Sequence, residues 1–240
     1  MLAGCGRFGF VEGQPADAAR DDIDLLADEP VGTGLIGFWQ FEDDFSDSTT
    51  TDEAGGHDAT CPQGLCPARM NGPRGTALDC GNQTRTMVIA DAPEFHSSSG
   101  TVAAWVRPRL EDGLGAVASK AFGLGALNSW ELGINVDEQS YAFTGATDAD
   151  QILMNGSTVV DLAQWVHLAV RWDGTTFALF LGGALELEMP HAVTFDTHPI
   201  LICGDADSGT PTSGFAGQMD ELRIYDRALS DAELAALAVP

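Results

Sequence analysis

Hydrophobic and polar residues alternate with a period of two from Leu35 onward, instead of the 3.6-residue period of an amphipathic helix. The short runs are rich in β-branched and aromatic residues, and Gly, Asp, Pro and Ser separate them, which predicts β-strands joined by turns. The predicted strands are 35–41, 77–80, 86–90, 101–109, 115–120, 129–136, 140–144, 165–172, 176–181, 184–189, 200–203 and 214–225.

Two turn dipeptides join three of these strands into a meander. They are Asp173-Gly174 and Gly182-Gly183, both typical of hairpins. Because no helix separates the strands, the sheets should be antiparallel, and a parallel α/β fold is excluded. A dozen short strands then imply two stacked sheets, so we predict an all-β, two-sheet antiparallel jelly-roll sandwich.

One helix is predicted, at the C-terminal end of the chain. Ser230 lies three residues before Glu233, as in a capping box, and Leu234 and Leu237 follow. We therefore expect a short helix at Asp231–Leu237 that packs its leucines on the sandwich.

The chain is strongly acidic, with 36 acidic and 11 basic residues and a net charge of -25. This charge repels phosphates and anionic lipid head groups, so it excludes a nucleic-acid partner. The hydrophobic content of 44% is enough for a folded core, and no apolar run is long enough to span a membrane. Two origins of the acidity stay open, a saline habitat and a GC-rich genome.

The first residues resemble a processing site for lipid attachment. Leu2-Ala3-Gly4-Cys5 is similar to a bacterial lipobox, in which the Cys5 thiol would accept the lipid anchor. No charged and apolar signal regions precede it, so either the sequence starts just before the cleavage site or the match is coincidental. We interpret residues 1–34 as a tether and residues 35–240 as one domain.

Four further cysteines allow three pairings. Cys61 and Cys66 flank a turn-rich loop, and Cys80 and Cys203 each end an apolar run. We predict the disulfides Cys61–Cys66 and Cys80–Cys203, which favour an extracellular location. A zinc site is the alternative, although the spacings lack the short Cys/His pairs that zinc prefers.

Four segments resemble, in order, those of LamG-like domains in the concanavalin A-like lectin/glucanase superfamily. They are "GLIGFWQFEDDFSDS", "TVAAWVRP", "WVHLAVRWDGTTFALFLGG" and "FAGQMDELRIYDRALSDAELAAL", and together they extend over about residues 35–237. The resemblance implies a two-sheet jelly roll, in agreement with the period-two pattern.

Carboxylates crowd the turn after the first predicted strand, and two more lie in the last strand. First and last strands are often neighbours in such sandwiches, so these groups should converge and require a cation such as Ca²⁺, which prefers oxygen ligands. The alternative is a solvated acidic loop. The resemblance implies as ligands Glu42, Asp44 or Asp47, a backbone carbonyl near residues 55–57, and Asp220.

No catalytic motif is present in the sequence. The superfamily includes glycoside hydrolases with a Glu-x-Asp-x-x-Glu strand, and the nearest pattern, Glu186-Leu187-Glu188, lacks its third acid. Glu131 has no acidic residue at i+2 or i+4, the positions that share its face of a strand. We therefore predict that the chain is not an enzyme, while a hydrolase or lyase with carboxylates from separate strands stays an alternative.

Candidate ligand-binding residues lie in one strand and in two predicted polar loops, 144–157 and 205–213. Trp130 is the tryptophan least committed to the core pattern, although the resemblance suggests that it packs inward. Asp205 and Asp207 would chelate a second Ca²⁺ that bridges a sugar, or else form a hydrated turn. The candidates are Trp130, Asp148, Asn155, Asp205 and Asp207.

Together these observations predict a calcium-stabilised, secreted or surface-attached module without catalytic activity. Its ligand would be a glycan or a surface protein. The alternatives are a protein–protein adhesion or assembly subunit, and a carbohydrate-active hydrolase or lyase.

Overall fold

The computed structural model describes residues 32–240 except 82–84, 110–113, 124–126, 136, 148–149, 163, 208–209 and 213. Cys5 and nearly all of the predicted tether lie outside the described residues, as do Asp148 and the side chain of Asp207. The lipid anchor therefore stays a prediction.

The described chain consists mostly of strands, with one α-helix. In chain order they are β1 (Leu35–Trp39), β2 (Thr49–Thr50), β3 (Ala59–Thr60), β4 (Ala68–Asn71), β5 (Thr76–Asp79), β6 (Met87–Ile89), β7 (Gly100–Pro108), β8 (Leu114–Phe122), β9 (Leu127–Asn135), β10 (Ser140–Ala146), β11 (Gln151–Val159), β12 (Val166–Trp172), β13 (Thr176–Leu181), β14 (Ala184–Pro190), β15 (Ile200–Ile202), β16 (Asp205–Asp207), β17 (Thr210–Thr212), β18 (Gly217–Tyr225) and α1 (Asp231–Leu237).

The strands form two eight-stranded sheets and one short hairpin. Sheet A has the order β14-β13-β12-β7-β18-β5-β4, with β1 also paired to β18. Sheet B has the order β11-β10-β9-β8-β15-β6-β3-β2, and β16 pairs with β17. Because the pairings between these strands are antiparallel, the predicted jelly-roll sandwich is confirmed.

The predicted strands and the helix agree with the structure, but the loop predicted at 144–157 is wrong. Most of it belongs to β10 and β11. β11 is the edge strand of sheet B, and only Met154 in it is buried. An edge strand with so few buried positions lacks the alternation from which strands are predicted. The second predicted loop, 205–213, likewise contains the hairpin β16–β17.

The core lies between the two sheets, and a disulfide joins them. Large side chains that fill the core include Trp39, Trp130 and Phe143. Cys80 follows β5 of sheet A and bonds to Cys203, which follows β15 of sheet B.

The second disulfide, Cys61–Cys66, closes the small loop after β3. Both predicted pairings are confirmed.

The helix α1 begins with the predicted capping box. Ser230 Oγ accepts a hydrogen bond from Glu233 N, and the Glu233 carboxylate accepts one from Ser230 N. Leu234 and Leu237 pack against a small apolar cluster on sheet A that includes Phe180. In the part of the chain that the structure describes, no helix is long and apolar enough to cross a membrane.

Candidate functional site

Asp52 organises the acidic loop that follows β1. Its Oδ1 accepts hydrogen bonds from Phe38 N at 2.7 Å and Ala54 N at 2.9 Å. Its Oδ2 accepts from Gly55 N and His57 N, both at 2.9 Å. Four N–H donors satisfy this buried carboxylate, so it needs no cation. The segment 55–57 thus surrounds Asp52.

Asp44 and Asp47 stabilise their own turns. Asp44 Oδ1 accepts from Ser46 N at 2.9 Å, and this bond lowers the pKa of the Asp44 carboxyl. Asp47 Oδ1 accepts from Thr49 N at 3.1 Å. Among the described residues, no group of three or more His, Cys, Asp or Glu side chains is arranged to hold a metal ion. The predicted ligands Glu42, Asp44, Asp47 and Asp220 are therefore not assembled as one set.

Asp220, on β18, differs from the loop carboxylates because one of its oxygens has no partner among the described residues. The residue is fully buried, its Oδ2 accepts from Arg74 N at 3.2 Å, and its Oδ1 accepts no hydrogen bond from them. Burial, together with the charges of Glu221 and Glu42, raises the pKa of Asp220 to about 7, against the lowering effect of the hydrogen bond from Arg74 N. This carboxyl is therefore poised between its neutral and charged forms at neutral pH.

A glycine-containing turn lies between Asp220 and Glu42. A Cβ at Gly72 would collide with the Asp220 carboxylate, and one at Gly75 would collide with that of Glu42. Glu42 Oε1 also accepts from Thr76 N at 2.8 Å. The carboxylates of Asp220 and Glu42 supply oxygen atoms of the kind that bind Ca²⁺. One of these atoms, Asp220 Oδ1, has no hydrogen-bond partner among the described residues. The backbone near residues 55–57, from which a carbonyl ligand was predicted, donates two N–H groups to Asp52.

A second pair of carboxylates lies on the outer face of sheet B. Asn128 Nδ2 donates to Glu131 Oε2 at 2.8 Å and to Asp205 Oδ2 at 3.1 Å. Sharing one donor places the two oxygens less than about 6 Å apart. Both residues are buried. Sequence reasoning did not find this pair because Asp205 comes from β16, which packs against β8.

The described candidates for ligand binding, Trp130, Asn155 and Asp205, do not form one exposed surface, because Trp130 and Asp205 are buried. Trp130 is only 1% exposed and belongs to the core, so its indole has no free face for a sugar. Its predicted role in ligand binding does not agree with this burial, and the alternation of β9 explains why it points inward. Asn155 Oδ1 accepts from Asn135 Nδ2 at 3.0 Å. Asp205 Oδ2 accepts from Asn128 Nδ2, and the chelate predicted with Asp207 stays a prediction because the Asp207 side chain lies outside the described residues.

A pocket of about 330 Å³ lies on the same face of sheet B as Glu131. Val88 and Leu201 contribute to its floor, because they alternate along β6 and β15 with core residues. Leu201 is paired with Val88 on one side and with Ser119 on the other. Ser119 is in turn paired with Glu131, so Glu131 lies two strands away from Leu201 on this face.

Residues from connecting loops and from β16 form the walls of this pocket. Gln63 comes from the loop closed by Cys61–Cys66, His198 from the segment before β15, and Ala206 from β16. No single motif marks this site in the sequence, because its residues are far apart along the chain and only the sheet topology brings them together.

The fold and the sequence identify the class of protein. A laminin G-like family model, described as the concanavalin A-like lectin/glucanases superfamily, matches residues 81–235. The chain belongs to this superfamily, as the resemblance predicted. No curated protein sequence matches the chain.

Solved structures with the same fold include domains that bind carbohydrates. Domain 4 of AbnA, an extracellular arabinanase from Geobacillus stearothermophilus solved with arabinotriose, is 18% identical with a TM-score of 0.67; the match covers 85% of this chain and 98% of that domain. The CBM40 of Ruminococcus gnavus IT-sialidase, bound to α2,3 sialyllactose, is 18% identical with a TM-score of 0.58; the match covers 68% of this chain and 96% of that module.

The binding domain of Paraclostridial Mosquitocidal Protein 1 is another similar structure. It is 15% identical with a TM-score of 0.66, and the match covers 85% of this chain. The chain spans about half of that structure's length, 52%. At these identities the similarity concerns the fold.

Proposed function

We propose that the chain is a non-catalytic module that binds a glycan outside the cell. The observation that carries this proposal is the pocket on the outer face of sheet B, in a fold whose relatives include modules solved with arabinotriose and sialyllactose. Its volume lies at the lower end of the ~300–1,000 Å³ range of small-ligand sites. Two disulfides support the extracellular location, because such bonds persist in oxidising compartments.

A glycan array tests this proposal. The fluorescently labelled full chain is applied to a broad set of neutral and charged glycans, with Ca²⁺ and with a chelator. We expect a restricted set of related glycans to bind. Uniformly negative arrays under both conditions would contradict glycan binding and would favour the alternative of a protein partner.

Calcium is the proposed structural cofactor. Asp220, through its unpartnered Oδ1, and Glu42 would hold the ion beside the 72–75 turn. The ion would neutralise two carboxylates, one of which is fully buried. Thermal unfolding in chelator and in millimolar Ca²⁺ tests the site, and an unchanged midpoint would count against it. For a free ion at a hundredfold excess over its Kd, the expected stabilisation is about 2.7 kcal/mol.

A second candidate function, glycoside hydrolysis, is favoured by the Glu131–Asp205 pair. Retaining glycosidases use two carboxyl groups ~5–5.5 Å apart. Here both groups accept from the same amide of Asn128 and are buried, so they lie outside the open pocket, and binding is the better-supported function. If the chain released reducing sugar from a glycan and the Glu131→Gln variant did not, hydrolysis would become the better-supported function.

A further inference from the structure

We propose that the pocket on sheet B recognises a neutral, N-acetylated hexosamine residue through its acetamido group. This inference rests on the proposed glycan-binding function and specifies the ligand class of the same site. Three features of the described residues that line the pocket support the inference. They form an aliphatic floor, they place polar side chains at the rim, and they include no cationic Lys or Arg side chain.

The floor of the pocket suits a methyl group better than the ring of a sugar. Val88, Ala121 and Leu201 contribute to it, and none of the described residues that line the pocket is a Phe, Tyr or Trp. A sugar ring usually packs against a large aromatic side chain, and the described lining contains no such Phe, Tyr or Trp ring. A methyl-terminated substituent can instead bury its apolar surface against these aliphatic side chains.

The rim supplies groups that match an amide. The Gln63 side chain carries both a donor and an acceptor, which the C=O and N–H of an acetamido group require. The backbone around Gln63 is constrained, because the disulfide Cys61–Cys66 closes its loop and Leu65 N donates to Pro62 O at 3.0 Å. His198 also lines the pocket.

The buried Lys120 positions the wall that carries His198. It is the only lysine in the chain, and it is fully buried. Its Nζ donates to Asp91 Oδ1 at 2.8 Å, to Asp196 O at 3.0 Å and to His198 O. Asp196 Oδ2 also accepts from Gly123 N at 2.6 Å. The wall is therefore preformed, which reduces the entropy lost when a ligand binds.

Charge excludes acidic sugars from this pocket. Neither Lys nor Arg is among the described residues that line it, Asp196 lies 2.8 Å from His198 Nδ1, and the chain carries a net charge of -25. An ionised sugar carboxylate would meet repulsion without a cation in this lining to pair with. The pocket should therefore differ in ligand class from the module solved with sialyllactose.

Calorimetric titration with defined sugars tests the inference. The probes are the β1,4-linked disaccharide of N-acetylglucosamine, cellobiose as the equivalent without acetamido groups, and the pair sialyllactose and lactose. We expect the N-acetylated disaccharide to bind about tenfold more tightly than cellobiose, or better. We expect sialyllactose to bind no more tightly than lactose.

Variants locate the binding in the pocket. Gln63→Ala should weaken binding of the N-acetylated disaccharide about fivefold, and Ala206→Leu should abolish it by filling the pocket. Leu65→Ala is the matched control, because Leu65 lies in the same disulfide loop but is 57% exposed and does not line the pocket. Equal unfolding midpoints show that the variants fold.

The outcomes separate this inference from the proposed function. If the N-acetylated disaccharide binds equally well to Gln63→Ala and Ala206→Leu, or if other glycans bind and this one does not, the inference is wrong while glycan binding stands. Tighter binding of sialyllactose than of lactose would also overturn it. If no glycan on the array binds, the proposed function fails as well.

Discussion

Replacing Asp220 by Asn should stabilise the protein at neutral pH in the absence of divalent cations. The Asp220 pKa is about 7 in the folded protein and 3.8 in an ordinary solvated aspartate. Between these values the unfolded chain has lost its proton while the folded chain keeps it, so the stability falls as the pH rises. Above pH 7 the loss of folding stability is on the order of 4 kcal/mol, since each unit of pKa difference corresponds to about 1.4 kcal/mol. Below pH 4 the cost disappears.

Urea unfolding in chelator between pH 4 and pH 9 measures this cost. The asparagine side chain in Asp220→Asn keeps the shape and can still accept from Arg74 N. At each pH, the unfolding free energy of the unchanged chain is subtracted from that of Asp220→Asn. The contribution of the other carboxyl groups then cancels, because both proteins contain them. We expect the difference to grow by several kcal/mol between pH 4 and pH 7.5. A flat difference would refute the argument that burial perturbs Asp220.

Three further tests of the structural contacts use urea unfolding. Asp52→Asn should lower the free energy of unfolding by about 2–4 kcal/mol, because an amide N–H₂ would replace an oxygen that accepts two N–H groups. Asp47→Asn, at an exposed turn, should lower it by under about 0.5 kcal/mol. Equal losses in the two variants would contradict this. Replacing Cys80 and Cys203 by Ser opens a loop of 123 residues and should cost about 4–5 kcal/mol, and a cost below about 1 kcal/mol would show that the bond contributes little. Ser230→Ala removes the helix cap and should cost about 1 kcal/mol, with no loss counting against the capping box.

The fold was predictable because its evidence is local in the sequence. Period-two alternation, Asp-Gly and Gly-Gly turns, and the Ser230–Glu233 capping box each act over a few residues, and the structure confirms them. The exception shows the limit of this reasoning. Strand β11 buries only Met154, so its position at the sheet edge depends on pairing with β10, which its own residues do not indicate.

The carboxylates were harder to interpret than the strands. The sequence placed Asp44, Asp47 and Asp52 in one acidic turn, and the resemblance implied that Asp44 or Asp47 holds a cation with Glu42 and Asp220. In the structure Asp44, Asp47 and Asp52 each accept hydrogen bonds from nearby backbone N–H groups. Composition cannot distinguish these two ways of satisfying a negative charge, because both require the same residue types in the same turn.

The sequence by itself determined the fold class, the disulfide pairing and the helix, since these follow from local pattern. Only the tertiary structure decided which polar groups meet. It buries Asp220 beside Glu42, brings Asp205 to Glu131, and assembles a pocket from Gln63, Leu201 and His198. These groups are distant along the chain, and long-range strand pairing and loop packing set their positions, so no local pattern records them.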